Sequence, residues 1–218
     1  YDANYEMPGW NTVNFIPDNW SSVITEALEP DVELAPKRHQ AAAVKLTLPA
    51  VKIVEVANPK PGVVVFDMGQ NMLGVPELSL PGIANQKMTF RFAEALHKNT
   101  FYTKNLRTAK ATDYYTPAKS GQINYVPTFT FHGYRYVEVS GFDQSKTPNL
   151  SWVKGRVLHS NFNVHANFKS SHKKLNKLAE NVVWGLRGNF LDIPTDCPQR
   201  DERLGWTGDA QVFAAPSM

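Results

Sequence analysis

The sequence is poor in three features, each of which would have pointed to a class of protein. It has one cysteine, Cys197, so no intramolecular disulfide can form and a disulfide-stapled secreted scaffold is excluded. Its 23 basic residues barely exceed its 20 acidic residues and are scattered, which argues against a nucleic-acid partner. Its longest apolar runs, such as residues 62–66, fall far short of the roughly 20 residues that a membrane-spanning helix needs. We therefore expect neither a nucleic acid nor a membrane as partner.

The usual spacings of metal ligands are also missing from the sequence. The six histidines form no HxH or HxxxH pair, which argues against a zinc site, and no acidic run has the spacing of a calcium loop. We expect no cofactor, and the sequence leaves open a structural calcium assembled from distant loops. Cys197 is followed by proline and has no histidine nearby in the sequence, so structural burial is expected for it rather than nucleophilic chemistry.

The composition that is present, 42% hydrophobic and 20% charged over 218 residues, is typical of one or two globular domains. Residues 1–40 mix aromatics with turn formers and then become polar, which indicates loops and a connector. Residues 41–160 alternate apolar and polar side chains, as in 44–48, 52–56 and 87–92, with glycine and proline turn signals between the runs. This pattern predicts an antiparallel β-sandwich.

Two details of the sandwich are predicted as well. Residues 125–139 are expected to form two strands joined near His132 and Gly133, with the aromatic side chains from Phe129 to Tyr136 packed between sheets. Residues 67–71 are expected to form a turn and a polar anchor between strands.

After Phe168 the periodicity becomes helical. Ser170 or Ser171 is expected to cap this helix and Gly188 to end it. A second helix is predicted to start with Thr207 as its cap. Two helices cannot close an all-α domain, and the chain begins at Tyr1, so we expect a piece of a longer protein with a truncated helical domain in residues 161–218. The apolar residues that define the first helix are spaced three or four apart: Leu175, Leu178, Val182 and Leu186.

Residues 192–209 hold the densest group of charged side chains. Five carboxylates and two arginines occur there within eighteen residues, among prolines, Cys197 and Trp206. A solvated, salt-bridged turn is the simple interpretation, since surface ion pairs are common and weak. Glycoside hydrolysis is the other, because it needs one protonated carboxyl for the leaving oxygen, further carboxylates for sugar hydroxyls and an aromatic face for the sugar ring.

The fourteen residues 196–209, DCPQRDERLGWTGD, hereafter the acidic motif, resemble the signature of the bacterial α-L-rhamnosidases of glycoside hydrolase family 78. The resemblance extends upstream over nearly the whole chain. It includes DMGQN at 67–71, RFAE at 91–94, NLR at 105–107, ATD at 111–113 and FTFHGYRY at 129–136, which are similar to the β-sandwich domain that precedes the family's catalytic domain.

This resemblance implies a mainly β fold, an antiparallel β-sandwich followed by the first helices of a truncated (α/α)6 toroid. It places the tail of an accessory β domain and a connector in residues 1–40, the sandwich in 41–160 and the start of the catalytic toroid in 161–218. The remainder of that toroid and a rhamnose-containing glycoside or oligosaccharide are the implied partners. The resemblance also implies the activity, which is that of an inverting glycosidase that releases terminal α-L-rhamnose.

The family's site residues map onto the acidic motif. Glu202 matches the general acid, Asp196 and Asp209 match carboxylates that hold rhamnose hydroxyls, and Arg200 and Trp206 match pocket positions. Glu202 needs a raised pKa to donate a proton at neutral pH, and Asp196 and Asp209 are expected to raise it. The family's general base is a second glutamate much later in the toroid, so these 218 residues alone are expected to show negligible activity.

Two alternatives stay open at this point. Asp201 competes with Glu202 for the acid role, although Asp201 is expected to pair with Arg200 or Arg203. A carbohydrate-binding sandwich without catalysis would hold sugar on the aromatic strand that carries Tyr134 and Tyr136. A glycan-degrading role fits the periplasm or the cell exterior, and the sequence does not decide the compartment.

Overall fold

The computed structural model describes residues 1–18, 20–37, 40–57, 59–165, 167–202 and 204–217, and side chains up to residue 212. Three short 3-10 helices lie at Ala3–Tyr5, Lys104–Leu106 and Leu150–Trp152. Two α-helices are present, α1 at Lys173–Asn189 and α2 at Thr207–Ser217. The strands are β1 Ala42–Pro49, β2 Lys52–Val54, β3 Val63–Gly82, β4 Met88–Ala93, β5 Ala95–His97, β6 Thr100–Tyr102, β7 Thr112–Tyr115, β8 Gly121–Tyr125, β9 His132–Ser140, β10 Val153–Ser160, β11 Phe190–Leu191 and β12 Ile193–Pro194.

Eight strands form one antiparallel sheet in the order β1-β10-β3-β9-β4-β7, with β2 and β8 also paired to β3. The long strand β3 links the two halves of the sheet. Its first part pairs with β2 and β9, and its last part pairs with β8 and β10. The register of β3 against β9 shifts between Asp67 and Met72, where the strand bends. The alternating runs of the sequence therefore form the predicted antiparallel β domain.

The bend in β3 is held by polar contacts. Gly69 has φ +75°, and its N–H donates to Asp67 Oδ1 at 2.7 Å. Arg135 on β9 binds both carboxylate oxygens of Asp67, at 2.8 and 2.9 Å. A bidentate guanidinium–carboxylate pair fixes orientation as well as distance. The inter-strand anchor predicted at residues 67–71 is confirmed by the pair of Asp67 with Arg135. The turn predicted there is wrong, because these residues lie within the continuous strand β3, at its register shift.

One hydrophobic core takes side chains from both halves of the sheet. Large aromatic residues dominate it, and Phe92 packs against Tyr134 with ring centroids 5.1 Å apart. Trp184 of α1 packs against the edge of this core, so the first helix is docked on the sandwich. The fully buried members of the core include Phe66, Leu80, Met88, Phe90, Phe92, Tyr134, Val137 and Val139.

Some local predictions are wrong. His132 and Gly133 are the first residues of β9 rather than a turn, and the connection from β8 runs through residues 126–131. Phe129 lies in that connection with φ +62°, which turns its side chain fully into solvent instead of into the core. Tyr134 and Tyr136 are buried as predicted.

The boundaries of α1 also differ from the prediction. His172 occupies the N-cap position, because the Ser170 hydroxyl accepts from the His172 N–H in a local turn before the helix. The helix continues through Gly188 and ends at Asn189, whose side chain donates to the Gly185 carbonyl at 2.7 Å. Thr207 is the first residue of α2.

The apolar stripe of α1 faces a groove rather than the sandwich. The groove has a volume of about 580 Å³, and its other wall is formed by residues 162–165, 167 and 168. Leu175 and Leu178 keep 47% and 59% of their surface exposed there. Among the described residues, no helix is long and apolar enough to cross a membrane.

Candidate functional site

A tight turn after helix α1 presents the acidic motif. β11 and β12 pair as a hairpin whose turn residue, Asp192, has φ +73°. The Thr195 N–H then donates to the Asn189 carbonyl at 2.8 Å, and the Trp206 N–H donates to the Pro194 carbonyl at 3.0 Å. These two hydrogen bonds fix both ends of the intervening loop against the hairpin and the end of α1.

Glu202 lies at the centre of a hydrogen-bonded cluster. Its Oε2 accepts from Arg200 Nη2 at 2.7 Å and from Arg200 Nε at 3.0 Å, and its Oε1 accepts from Arg107 Nη1 at 2.5 Å. The Cys197 Sγ lies 3.3 Å from Glu202 Oε2 and 3.3 Å from Asp196 Oδ2. A thiol has one proton, so Cys197 donates to one of these carboxylates at a time. Arg200 thus contacts Glu202 directly, and Asp196 and Glu202 share Cys197 as a hydrogen-bonding partner.

The pKa of Glu202 is shifted in the direction opposite to the one expected. From the sequence, Asp196 and Asp209 are expected to raise the pKa of Glu202. Instead the hydrogen bonds from Arg200, with the pairing to Arg107 added, lower the pKa of Glu202 to about 2. The expectation of a raised pKa is wrong for this structure, because cations rather than carboxylates surround the group.

Cys197 is buried, as predicted, with 6% of its surface exposed. Burial raises the pKa of its thiol to about 12, and the hydrogen bonds to Glu202 and Asp196 act in the same direction. A thiol held protonated is a poor nucleophile. Cys197 therefore links the two carboxylates rather than reacting.

Asp201 points away from this cluster. Its Oδ2 accepts from the Thr108 hydroxyl at 2.6 Å. Among the described residues Arg200 pairs with Glu202, and a pair of Asp201 with Arg200 is not observed. The predicted alternative partner, Arg203, lies outside the described residues. The adjacent carboxylates thus face different partners, and Asp201 is tied to the sandwich.

Asp196, Trp206 and Asp209 line one open cavity of about 370 Å³. Asp196 has φ +65°, an uncommon backbone conformation that aspartate tolerates. A hydrogen bond between the two aspartates raises the pKa of Asp209. Trp206 is 44% exposed at the cavity. Two carboxylates beside an accessible indole match the two faces of a sugar ring, hydroxyls on one side and C–H groups on the other.

Arg200 and Asp196 line a second cavity of about 510 Å³, between the acidic motif and the sandwich. Asp196 is common to both cavities, and Glu202 is among the lining residues of neither. Asp196, Trp206 and Asp209 therefore line a sugar-sized cavity, and Arg200 lines the neighbouring one. Glu202 lines neither cavity and is bound by two arginines.

Three sandwich residues that contact the acidic motif had no role in the sequence-based prediction. Arg107 and Thr108 contact Glu202 and Asp201 across separations of 95 and 93 residues. At Gly133 a Cβ would lie 2.7 Å from the backbone of the motif at Gln199. No local pattern marks such distant contacts, and their stretches stood out only through the family resemblance.

The alternative in which the sandwich binds sugar on its aromatic strand is not supported. Tyr134 has no exposed surface and Tyr136 only 9%, so neither ring can stack on a ligand. Tyr134 packs instead against Phe92 in the core. The prediction that the aromatic strand could carry binding by itself is wrong, because that strand lies in the interior of the sandwich.

The acidic cluster has little capacity for a metal ion. Ligand atoms of Asp196, Cys197 and Glu202 lie within 4.8 Å of one another. Both oxygens of Glu202 already accept from guanidinium groups, and the thiol is held protonated. A metal would need the thiolate and an available carboxylate. The described residues of this cluster thus suit hydrogen bonding better than metal ligation.

Two family models match consecutive parts of the chain. Residues 57–159 match the bacterial α-L-rhamnosidase concanavalin-like domain, and residues 163–217 match the bacterial α-L-rhamnosidase 6 hairpin glycosidase domain. An α-L-rhamnosidase of Alteromonas sp. is 52% identical over the whole chain, and one of Formosa agariphila is 54% identical. The chain spans 23% of the length of each of these relatives.

Solved structures agree with the sequence matches. The Streptomyces avermitilis α-L-rhamnosidase complexed with L-rhamnose superposes with a TM-score of 0.90 at 44% identity, covering 100% of this chain and 21% of that one. The Aspergillus terreus enzyme gives a TM-score of 0.90 at 35% identity, covering 98% of this chain and 24% of that one.

Proposed function

Because the chain belongs to the bacterial α-L-rhamnosidases of glycoside hydrolase family 78, we propose that the polypeptide of which it forms part releases terminal α-L-rhamnose from rhamnosides with inversion. Glu202 is the proposed general acid. The substrate is a rhamnose-containing glycoside or oligosaccharide, and the remainder of the helical domain completes the site.

The observation that carries this proposal is the cavity shared by Asp196, Trp206 and Asp209. Its two carboxylates can accept hydrogen bonds from neighbouring sugar hydroxyls, and its exposed indole can cover the apolar side of the ring. The hydroxyls would replace the hydrogen bond that the two aspartates now share. Arg200 lines the adjoining cavity and contributes a cation there.

Proton donation requires a change at Glu202. With a pKa of about 2 the group is ionised near neutral pH and cannot act as an acid. Its side chain is 31% exposed, so packing of the remaining helical domain and substrate over it would desolvate the carboxylate and raise its pKa. We propose that Arg200 turns towards substrate in that closed state and releases Glu202 to hold the proton.

The inverting mechanism also needs a base. A second carboxylate has to lie about 6.5–9.5 Å from the acid, with the attacking water between them. The family resemblance places this residue later in the helical domain, beyond Met218. That the 218 residues are inactive alone stays a prediction.

The test is Glu202→Gln in the full-length polypeptide, assayed by nitrophenol release from 4-nitrophenyl α-L-rhamnoside. Loss of a general acid is expected to lower kcat by about 10²–10⁴-fold. Glu55→Gln is the matched control, because Glu55 is exposed and its side chain forms no ion pair with another described residue. Circular dichroism should show both variants folded, and the control should keep the wild-type melting temperature.

Either of two results would contradict the proposal. Unchanged turnover in Glu202→Gln would assign the acid to another carboxylate, with Asp201 the first to test. No turnover in the wild type, in a folded full-length protein, would remove the rhamnosidase assignment.

A further inference from the structure

The cavity between the sandwich and the acidic motif has its own set of polar side chains. It adjoins the cavity of Trp206 and Asp209 across Asp196, which lines both. Its volume of about 510 Å³ is enough for a second sugar ring. Its polar lining side chains come from the bend of β3, the residue after β4, α1 and the motif, and include Gln70, Asn71, Glu94, Asn181, Gln199 and Arg200.

Glu94 is the acidic side chain that the sandwich contributes to this cavity. It directly follows β4, and its two carboxylate oxygens accept from Asn71 Nδ2 at 2.9 Å and Asn105 Nδ2 at 3.2 Å. These amides aim the carboxylate while leaving further lone pairs on each oxygen. Burial raises the pKa of Glu94. Among the described residues, no arginine or lysine forms an ion pair with it.

The remaining lining chemistry is that of a polyol site. Side-chain amides both donate and accept, as sugar hydroxyls do, and Arg200 adds a cationic donor. The Oε1 of Gln199 is buried and, within the described part of the chain, accepts no hydrogen bond. A buried acceptor of this kind favours a ligand that brings hydroxyl donors. Trp184 supplies an aromatic surface in the same cavity.

We propose that this cavity is the leaving-group subsite of the enzyme, and that Glu94 binds hydroxyls of the sugar to which rhamnose is attached. The inference rests on the proposed function, since it places rhamnose in the cavity of Asp196, Trp206 and Asp209. The sugar on the other side of the scissile bond then lies across Asp196, against the sandwich. Specificity for a hydroxylated leaving group is thus supplied by the β domain.

The test compares two substrates of the full-length polypeptide. One is 4-nitrophenyl α-L-rhamnoside, whose leaving group has no sugar hydroxyls, and the other is an α-L-rhamnosyl-(1→6)-D-glucose disaccharide. Glu94→Gln should lower kcat/KM for the disaccharide by about tenfold or more, the size expected for losing hydrogen bonds to a charged group. For the aryl substrate it should stay within about twofold. The control is Glu55→Gln, an exposed glutamate of the same domain.

Equal losses on both substrates would mean that Glu94 only ties Asn71 to Asn105, and would overturn the proposal. No loss on either would overturn it too. If the wild type cleaves neither substrate, the proposed function fails and calorimetric titration with D-glucose decides the subsite. Binding that Glu94→Gln abolishes would support a sugar site, and absence of binding to the wild type would overturn it.

Discussion

Arg107 has an unusual position for a residue of a supporting β domain. It follows the 3-10 helix Lys104–Leu106 with φ +55°, and its guanidinium contacts Glu202 at 2.5 Å although its own side chain is 61% exposed. Together with Arg200 it gives one carboxylate two cationic partners. This arrangement stabilises the ionised form, so Arg107 works against proton donation unless its hold on Glu202 is weakened when substrate binds.

Replacing Arg107 therefore gives a signed prediction. In Arg107→Gln the pKa of Glu202 rises, because one cation that favours the carboxylate is removed. A general acid is active only while protonated, so the fall of kcat/KM at high pH should move to higher pH in the variant. The measurement is the pH profile of kcat/KM for an aryl α-L-rhamnoside with the full-length polypeptide.

Arg91→Gln is the control for that profile, since Arg91 pairs with Glu138 across the sheet at 2.6 Å and does not contact the acidic motif. Its alkaline limb should match that of the wild type. An alkaline limb of Arg107→Gln that stays in place, or moves to lower pH, would mean that the group titrating there is not Glu202.

At the scale of elements, the start of strand β9 and the acidic motif touch through backbone. A Cβ built on Gly133 would lie 2.7 Å from Gln199 N and from the Pro198 carbonyl carbon. Such distances leave no space for a methyl group, and the atoms in the way belong to the main chain of the motif. The absence of a side chain at Gly133 is what lets the two domains meet at this distance.

Gly133→Ala should consequently push the motif away from the sandwich. We expect a loss of about 1–3 kcal/mol in stability, the usual cost of overpacking, and a lower kcat/KM because the displaced motif carries Asp196, Arg200 and Glu202 out of position. Thermal unfolding and steady-state kinetics of the full-length polypeptide measure both. Gly185→Ala is the stability control, as its Cβ meets open space in α1 and alanine favours helix over glycine. Equal melting temperatures for the two variants would contradict the close approach.

The comparison of elements also shows what sequence periodicity can and cannot predict. Alternation located β4 closely, and one face of that strand is buried. Alternation also located β1 and β2, and the three-four spacing located α1, although β1 is largely exposed and the stripe of α1 faces an open groove. The prediction of a turn at His132 and Gly133 is wrong, because the extended conformation of those residues depends on their pairing with β3 after its bend, which is distant in sequence. The same holds for the site. Its motif residues are contiguous, whereas Glu94 and Arg107 reach it only through the fold.

At the scale of the whole molecule, helix α1 has two different sides. Trp184 packs on the sandwich core, and the opposite apolar stripe lines the open groove against residues 162–165, 167 and 168. Exposed leucines at consecutive turns of one helix are typical of a surface that another element covers. The chain spans 23% of the length of its Alteromonas relative, and its residues 163–217 match a 6 hairpin glycosidase domain. We therefore expect further helices of the full-length polypeptide to bury this stripe.

Leu178→Ala in the full-length polypeptide distinguishes a covered groove from an open one. Leu178 is 59% exposed in this structure. If the groove stays open in the full-length polypeptide, the change to alanine should therefore lower the free energy of unfolding only slightly. If further helices cover it, the same change removes a buried side chain and should cost about 2–5 kcal/mol. Lys177→Ala, next to it and exposed in its pair with Glu180, is the control and should leave the melting temperature nearly unchanged. A Leu178→Ala melting temperature equal to that of the control would mean that the stripe of α1 faces solvent in the complete protein, and that its hydrophobic spacing serves some purpose other than packing within the helical domain.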